Sequence, residues 1–411
     1  MYTENSNRSY LTVEEYRREA ITSKMVLAIV TSSHAMQHLF VGLSILFPIM
    51  IVDLNLSYSS FGLIIGMASF IGGILQVAFS MSSRAVARHI LLGIGDFLIF
   101  LGGALTSLAK GFIDFLIARN IFSIGVAPQH PMGAAILAEE YDEKTLGRAI
   151  GFFFGFAYIG NIVGPVVATL LSQYLGWRGT FLIFSLPPLA IGILLLLCLR
   201  GRKPVVSSGV KSSIKSDVRT LLNEKSIILV LVALAINSGG TDLTIMTTYI
   251  PIFLANGVGA DVYERGIIYT MGLLGGVIGP VLLGKYSAKI GYLKGAVIST
   301  STSAILTCFL TIYKSPDFTI GIHLFILFFM SFSIATLTQS YLLSITKGYA
   351  KDLAVGVYFT TNFIFASIWT SIMGFLLDYF ASFTPALLFM GALGLVSSGI
   401  LALSRRLSLK R

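Results

Sequence analysis

Charge is scarce in this chain. Of 411 residues only 12% are charged while 55% are apolar, with a mean hydropathy of +0.84, and a soluble protein of that length could not hide so much apolar surface. Cysteine is scarcer still: Cys198 and Cys308 fall near opposite ends of separate apolar runs, which excludes a disulfide framework and a thiolate metal site. With five histidines, no Ser/His/Asp, H-E-x-x-H or paired-carboxylate constellation can be assembled, and no polar stretch is long enough for a soluble domain. An enzyme or a non-transporting membrane receptor is therefore disfavoured, and no cofactor is expected.

What the chain has in abundance is apolar runs of about 20 residues, the length that crosses a bilayer core at 1.5 Å per residue. Twelve occur: 25 to 50, 58 to 81, 89 to 109, 112 to 138, 148 to 174, 179 to 199, 226 to 254, 264 to 284, 292 to 313, 319 to 346, 353 to 377 and 384 to 403. With the N-terminus in the cytoplasm, 24 of the 29 basic residues fall in the two terminal segments and the even-numbered loops. The other five are Lys110, Arg119, Arg178, Arg265 and Lys314, of which Arg119 lies within span 4 and the rest are expected in outer loops. This is the positive-inside signature, so the net charge of +10 reflects topology and meets lipid headgroups. No nucleic-acid partner is implied. A multi-pass protein of the cell membrane with both termini cytoplasmic is expected, working as a monomer. Residues 1 to 24 lack the apolar core and cleavage site of a signal peptide and read as a short cytoplasmic segment.

The longest polar stretch, residues 200 to 225, is basic and Ser-rich and divides the spans six and six. It predicts two units, 25 to 199 and 226 to 404, followed by a basic tail at 405 to 411. The halves echo each other: Gly62 and Gly266, Gly72 and Gly276, and Ser80 and Gly284 each sit 204 residues apart in spans of equal rank. Internal repetition of this kind is how many secondary transporters are built, with substrate bound near the midplane between halves.

The sequence resembles the major facilitator superfamily in several local patterns. "GKYSAKIGYLK" after span 8 is similar to the family's G-x-x-x-D-R-x-G-x-x-K gating signature at Gly284, Lys289, Gly291 and Lys294; its counterpart after span 2, "SMSSRAVARH", keeps Arg84 and Arg88. Ala288 and Arg84 stand where the signature has aspartate. "ARNIFSIG" in span 4, with Arg119 and Gly125, is similar to the R-x-x-x-x-x-G stretch. "GNIVGP" in span 5, Gly160 to Pro165, resembles the antiporter G-x-x-x-G-P motif; Gly160, Gly164 and Pro165 serve helix packing, an antiporter role, or both. "SHAMQHLFVGLSILFPIM", Gln76 and "GVAPQHPMGAA" resemble the fosmidomycin-resistance-like branch, with Gln129 in place of that branch's phenylalanine and Met132 in place of an acidic residue. The resemblance implies an all-α membrane fold of twelve helices in two pseudo-symmetric six-helix bundles, and an exporter exchanging its substrate for protons.

Polar groups within the spans are the candidate site. An ionisable side chain at the bilayer centre costs roughly 2.5 to 3.5 kcal/mol and so by default faces a cavity and marks a pathway. His34, Gln37 and His38 in span 1 share one helical face, and the repeat offset of 203 to 204 residues sets Asn237 and Asp242 of span 7 at equivalent depth. The imidazoles are expected to look across the cavity at that amide and carboxylate, binding substrate or carrying protons, or else to serve as interhelical hydrogen-bond partners. H-x-x-x-H spacing is competent for zinc, yet Ala35 occupies the place of the catalytic glutamate of H-E-x-x-H, and no metal is assigned.

His38, Asp242 and Asp96 are the candidate proton carriers. The substrate set is His34, Gln37, His38, Arg119, His130, Asn161, Asn237, Asp242, Gln339 and Asn362. Arg119 is suited to gripping a carboxylate or phosphonate; its alternative is a structural pair with Asp96, Asp114 or backbone carbonyls. His130 precedes Pro131 and either meets substrate or satisfies carbonyls freed there. Asp96 alternatively forms a gate-side ion pair with Arg84 or Arg88. Phe152, Phe153, Phe154, Phe156 and Tyr158 form a cavity wall or face lipid. The expected function is a secondary transporter exporting a small, anionic organic molecule in exchange for protons; the alternative is a proton-coupled importer of an organic acid or sugar derivative.

Overall fold

The computed structural model describes residues 22–202, 224–346 and 350–409; the bulk of the 200 to 225 linker, of the N-terminal segment and the last two residues of the tail lie outside them. The described residues are helical throughout, without strands. Ten helical segments are long and apolar enough to cross a membrane. One of them, Thr145–Cys198, makes two passes, because Gly176, at φ 62°, lies in the left-handed region that glycine enters at no steric cost and turns the chain back. Two shorter apolar helices, Lys225–Asn237 and Leu243–Gly257, together make one pass. Twelve spans result, matching the twelve apolar windows.

Side chains at the helix starts supply the hydrogen bonds that the first turn cannot make for itself. Ser57 accepts from Ser60 N at 3.1 Å, Asp317 from Thr319 N at 2.9 Å, and Asp261 closes a capping box with Glu264. Asp53 pairs with Arg178, which also donates to the Ala109 carbonyl at 2.9 Å, tying three loops of the first bundle.

The glycine pairs that repeat at 204 residues occupy matching places. A Cβ on Gly62 would meet the Thr370 carbonyl oxygen at 2.7 Å, and one on Gly266 would meet Thr169 Oγ1 at 2.1 Å. Span 2 of the first bundle thus packs on span 11 of the second, and span 8 of the second on span 5 of the first. This is the reciprocal contact a pseudo-dyad demands.

Four spans break near their centres, span 5 among them at Tyr158, between Glu143–Ala157 and Ile159–Cys198. Span 1 runs as Ser23–Gly42, tightens into a 3-10 turn at Leu43–Leu46 and resumes at Phe47–Asp53. Span 4 divides into Phe112–Val126 and Gln129–Glu140 around Pro128, whose ring and missing N–H interrupt a helix. Span 7 opens at Ser238–Asp242, where Gly239 lies against the Trp369 ring and Gly240 against the Gly394 backbone. The apolar window at 226 to 254 is thus a single pass made of two helices.

The face away from the chain termini is sealed between bundles. Tyr58 N and Ser59 N at the start of span 2 donate to the Asp378 carboxylate of span 11 at 3.0 and 2.7 Å, and Asn256 Nδ2 of span 7 donates to Tyr58 Oη at 2.8 Å. Deeper in, Ser44 Oγ donates to Tyr269 Oη at 3.2 Å. Arg265, expected in an outer loop, is instead buried in the first turn of span 8, where Nε donates to the Ile45 carbonyl at 2.8 Å and Nη1 to Ala260 O at 3.2 Å.

Candidate functional site

His38 lies at the midpoint of span 1 (Ser23–Asp53), where the break at Gly42 lets span 5 approach. A Cβ on Gly42 would meet Pro165 N at 2.2 Å, one on Gly164 the Leu39 carbonyl oxygen at 2.4 Å, and one on Gly160 the Ala35 carbonyl oxygen at 2.8 Å. The small residues of "GNIVGP" thus lay span 5 directly on the imidazole-bearing turn, which brings Asn161 to His38: Nδ1 of His38 and Oδ1 of Asn161 are 3.0 Å apart.

The break in span 4 delivers a third imidazole. His130 Nε2 lies 3.1 Å from Gln37 Nε2, and His38 Nε2 lies 3.4 Å from that amide nitrogen and 3.3 Å from His34 Nε2. The Gln37 amide therefore donates into the lone pairs of two rings. Aromatic side chains surround the group: Phe153 stacks on His34 at 4.3 Å between centroids, Phe154 presents its edge at 5.4 Å, and Tyr158 meets His38 edge-on at 4.8 Å. His34 and His38 are buried while His130 is half-buried, its ring facing Phe359 of the second bundle at 6.4 Å. The aromatic run of span 5 is thus split by face, since Phe152 and Phe156 are exposed and stack on each other.

The contacts revise the expected pairing. His38 meets Asn161 of its own bundle, whereas Asn237 and Asp242 find partners in theirs: Thr241 Oγ1 donates to Asn237 Oδ1 at 2.9 Å, and the Asp242 carboxylate accepts from Thr244 N at 2.9 Å and from the Asn362 amide. Asn362 in turn accepts from Ser238 Oγ at 3.3 Å. Two polar clusters result, one per bundle, at the depth where spans 1 and 7 break. Gln339 is half-buried in span 10 and belongs to neither.

Asp96 is fully buried and accepts from Ser33 Oγ and Gln129 Nε2, both at 2.8 Å. The gate-side pair with Arg84 or Arg88 is corrected: Arg88 pairs with Glu139 at the end of span 4, Arg84 is exposed, and Arg202 pairs with Glu140 at 2.6 Å. Ser33 and Gln129 were not foreseen as functional, although a glutamine beside His130 in an apolar span was the available signal. In the signature after span 8, Gly291 closes the helix at φ 91°, Gly284 faces Thr336, and Lys289 and Lys294 are exposed.

Arg119 stands apart from the histidines. Eleven residues separate it from His130, roughly 16 Å along a helix. Its guanidinium lies 4.9 Å from the Phe122 ring centroid, its Nε is buried without a hydrogen-bond partner, and no ion pair among the described residues involves it. The expected structural partners Asp96 and Asp114 bond elsewhere, Asp114 accepting from Lys110 N at 3.0 Å.

Comparison with known proteins places these features in a family. The chain is 27% identical over 161 residues to the probable L-galactonate transporter of Escherichia coli (strain K12), covering 39% of this chain and 36% of that protein. It is 24% identical over 274 residues to the sialic acid transporter NanX of the same organism, covering 64% of each. The matched stretches thus span less than two thirds of either relative's own length. In fold, it is similar to the crystal structure of a bacterial homolog of the human lysosomal transporter Spinster, inward-facing and unoccupied, with a TM-score of 0.72, 16% identity, and coverage of 93% of this chain and 95% of that one. These relatives are transporters rather than enzymes. Residues 27–370 match the sequence profile of the Major Facilitator Superfamily, and the chain belongs to that superfamily.

Proposed function

We propose that this protein carries a small organic anion across the cell membrane by alternating access of its two bundles, exporting it in exchange for protons. The observation that carries the reading is Arg119, a half-buried guanidinium in the interior of span 4 with no anionic partner among the described residues. A cation held inside a membrane without a counter-charge has its natural partner in the cargo, and its planar fork suits a carboxylate. Two of the relatives are named for acids, galactonate and sialic acid, which supports that substrate class.

Proton coupling is assigned to Asp242. Its carboxylate sits at the break of span 7, half-buried, among the neutral partners Thr244 and Asn362, where gain and loss of a proton change the charge of the second bundle's cluster. Asp96 and His38, the other expected carriers, are bonded within the first bundle by Ser33 and Gln129 and by Asn161. The remaining polar residues of the two clusters, Gln37, His130, Asn161, Asn237 and Asn362, orient the cargo between them. Export is supported by the likeness of spans 1 and 4 to the fosmidomycin-resistance-like branch and by the G-x-x-x-G-P motif. The distribution of basic residues supports an orientation with both termini cytoplasmic.

Proteoliposomes loaded with a pH-sensitive dye test the reading. Movement of an organic acid such as a sugar acid should drive protons the opposite way, with the flux lost in Arg119→Gln. Protons moving with the acid would instead establish the importer, and no flux with any acid would remove the anion-carrier reading.

A further inference from the structure

One ring nitrogen from each of His34, His38 and His130 converges on a common point. All lie within 4.8 Å of one another, and the His34 and His38 nitrogens are 3.3 Å apart. Tetrahedral zinc, with bonds of 2.0 to 2.1 Å to nitrogen, sets its ligand atoms about 3.4 Å apart. The first edge of such a site already exists, and the second closes by a modest swing of His130, the most exposed of the three rings.

We propose that these imidazoles form a binding site for a divalent transition-metal ion of the zinc class, within the first bundle and open toward the second. Four features support it. The tautomer of His38 is set: Nδ1 donates to Asn161 Oδ1 at 3.0 Å, so the Nε2 lone pair points inward, which is the outer-shell arrangement that ligating histidines use. The point on which the rings converge is occupied by the Gln37 amide nitrogen, at 3.1 and 3.4 Å from two of them, so those nitrogens present lone pairs and not protons. Gln37 Oε1 is buried without a hydrogen-bond partner, and turning the amide over brings that oxygen toward the same point as a further donor. The ligands also come from two spans braced by a third, because Gly160 and Gly164 hold span 5 against span 1.

Binding requires the proton shared along the His34–His38 contact to move to His34 Nδ1, leaving three neutral rings. Three neutral ligands leave the ion's charge uncompensated, so the remaining position takes hydroxide or a carboxylate oxygen arriving past His130. The site stands without the coupling scheme above, which rests on Asp242.

The test uses the full-length, tag-free protein in detergent with Zn²⁺ or Co²⁺ alone as probe. Calorimetry should show one saturable Zn²⁺ site per chain, and Co²⁺ should give the intense visible absorption of a tetrahedral centre. Both should vanish in His34→Gln, His38→Gln and His130→Gln, each checked for monodispersity, and persist in His89→Gln. Asn161→Leu, which keeps all three ligands, should weaken binding by about 10 to 100-fold. No saturable site in the wild-type chain, or unchanged affinity in His130→Gln, would overturn the proposal.

Discussion

Tyr58 and Asp378 join the two bundles through a carboxylate on main-chain N–H groups and not through an ion pair: the carboxylate of Asp378 in span 11 accepts from the N–H groups of Tyr58 and Ser59 at the start of span 2. Those N–H groups belong to the first turn of a helix, where no intrahelical acceptor exists and the dipole favours an anion. One aspartate therefore caps the neighbouring bundle's helix and latches the distal face. Alternating access requires that latch to break.

Removing it should bias the protein toward opening on that face. In a background with Cys198 and Cys308 replaced by serine, Ser44→Cys, buried behind that seal, reports access. Asp378→Ala should raise its labelling rate by a membrane-impermeant maleimide several-fold, a charge-assisted hydrogen bond being worth about 1.5 to 3 kcal/mol. An unaltered labelling rate would show that Asp378 does not hold this face shut.

Asp242→Asn keeps the shape of the side chain and removes its proton. The variant should fold and bind cargo but lose the dependence of transport on an imposed pH gradient, while exchange of labelled for unlabelled cargo continues. Retention of gradient-driven transport would take Asp242 out of the coupling scheme. Substitution of His38 by Gln supplies the comparison: the coupling assigned to Asp242 predicts that gradient dependence survives there, even where the rate falls.

How much of this was legible beforehand differs by level. The twelve spans were visible because run length and hydropathy are local properties, and the pairing of equal-rank spans followed from glycines 204 residues apart. The partner of His38 was not. An internal offset gives depth in the membrane but not which way a helix is rotated within its bundle, so Asn237 and Asp242 were placed opposite imidazoles that instead meet Asn161. The motif that decides the rotation, "GNIVGP", was visible, but close packing of its glycines on span 1 becomes contact with His38 only in three dimensions. His130 joined the other histidines for a similar reason: Pro128 and Pro131 announce a break in span 4, not its direction.

Arg119→Lys keeps the charge and loses the planar fork. If Arg119 holds a carboxylate, affinity for the acid should fall about tenfold or more, a bidentate pair being replaced by a point charge, while thermal stability stays nearly unchanged because the guanidinium has no protein ion pair to lose. Equal affinity in the two proteins would reduce Arg119 to its contact with Phe122.

Two glycines of span 5 should respond oppositely to alanine. At Gly164 a methyl would sit 2.4 Å from the Leu39 carbonyl oxygen and 3.1 Å from Gly42 Cα. Both are main-chain atoms that cannot turn aside, so spans 1 and 5 must separate, at a cost of about 1 to 3 kcal/mol. At Gly155, two turns away toward the terminal face, a methyl meets nothing within 4 Å, and the helix gains about 0.4 to 1 kcal/mol because the unfolded chain loses freedom. Thermal unfolding in detergent should therefore rank Gly155→Ala at or above the parent and Gly164→Ala well below it. The separation forced at Gly164 also pulls Asn161 from His38, so Gly164→Ala should weaken Zn²⁺ binding where Gly155→Ala does not. A Gly164→Ala variant as stable as the parent would mean that the two spans are not in van der Waals contact there, and the geometry that aims His38 would lose its cause.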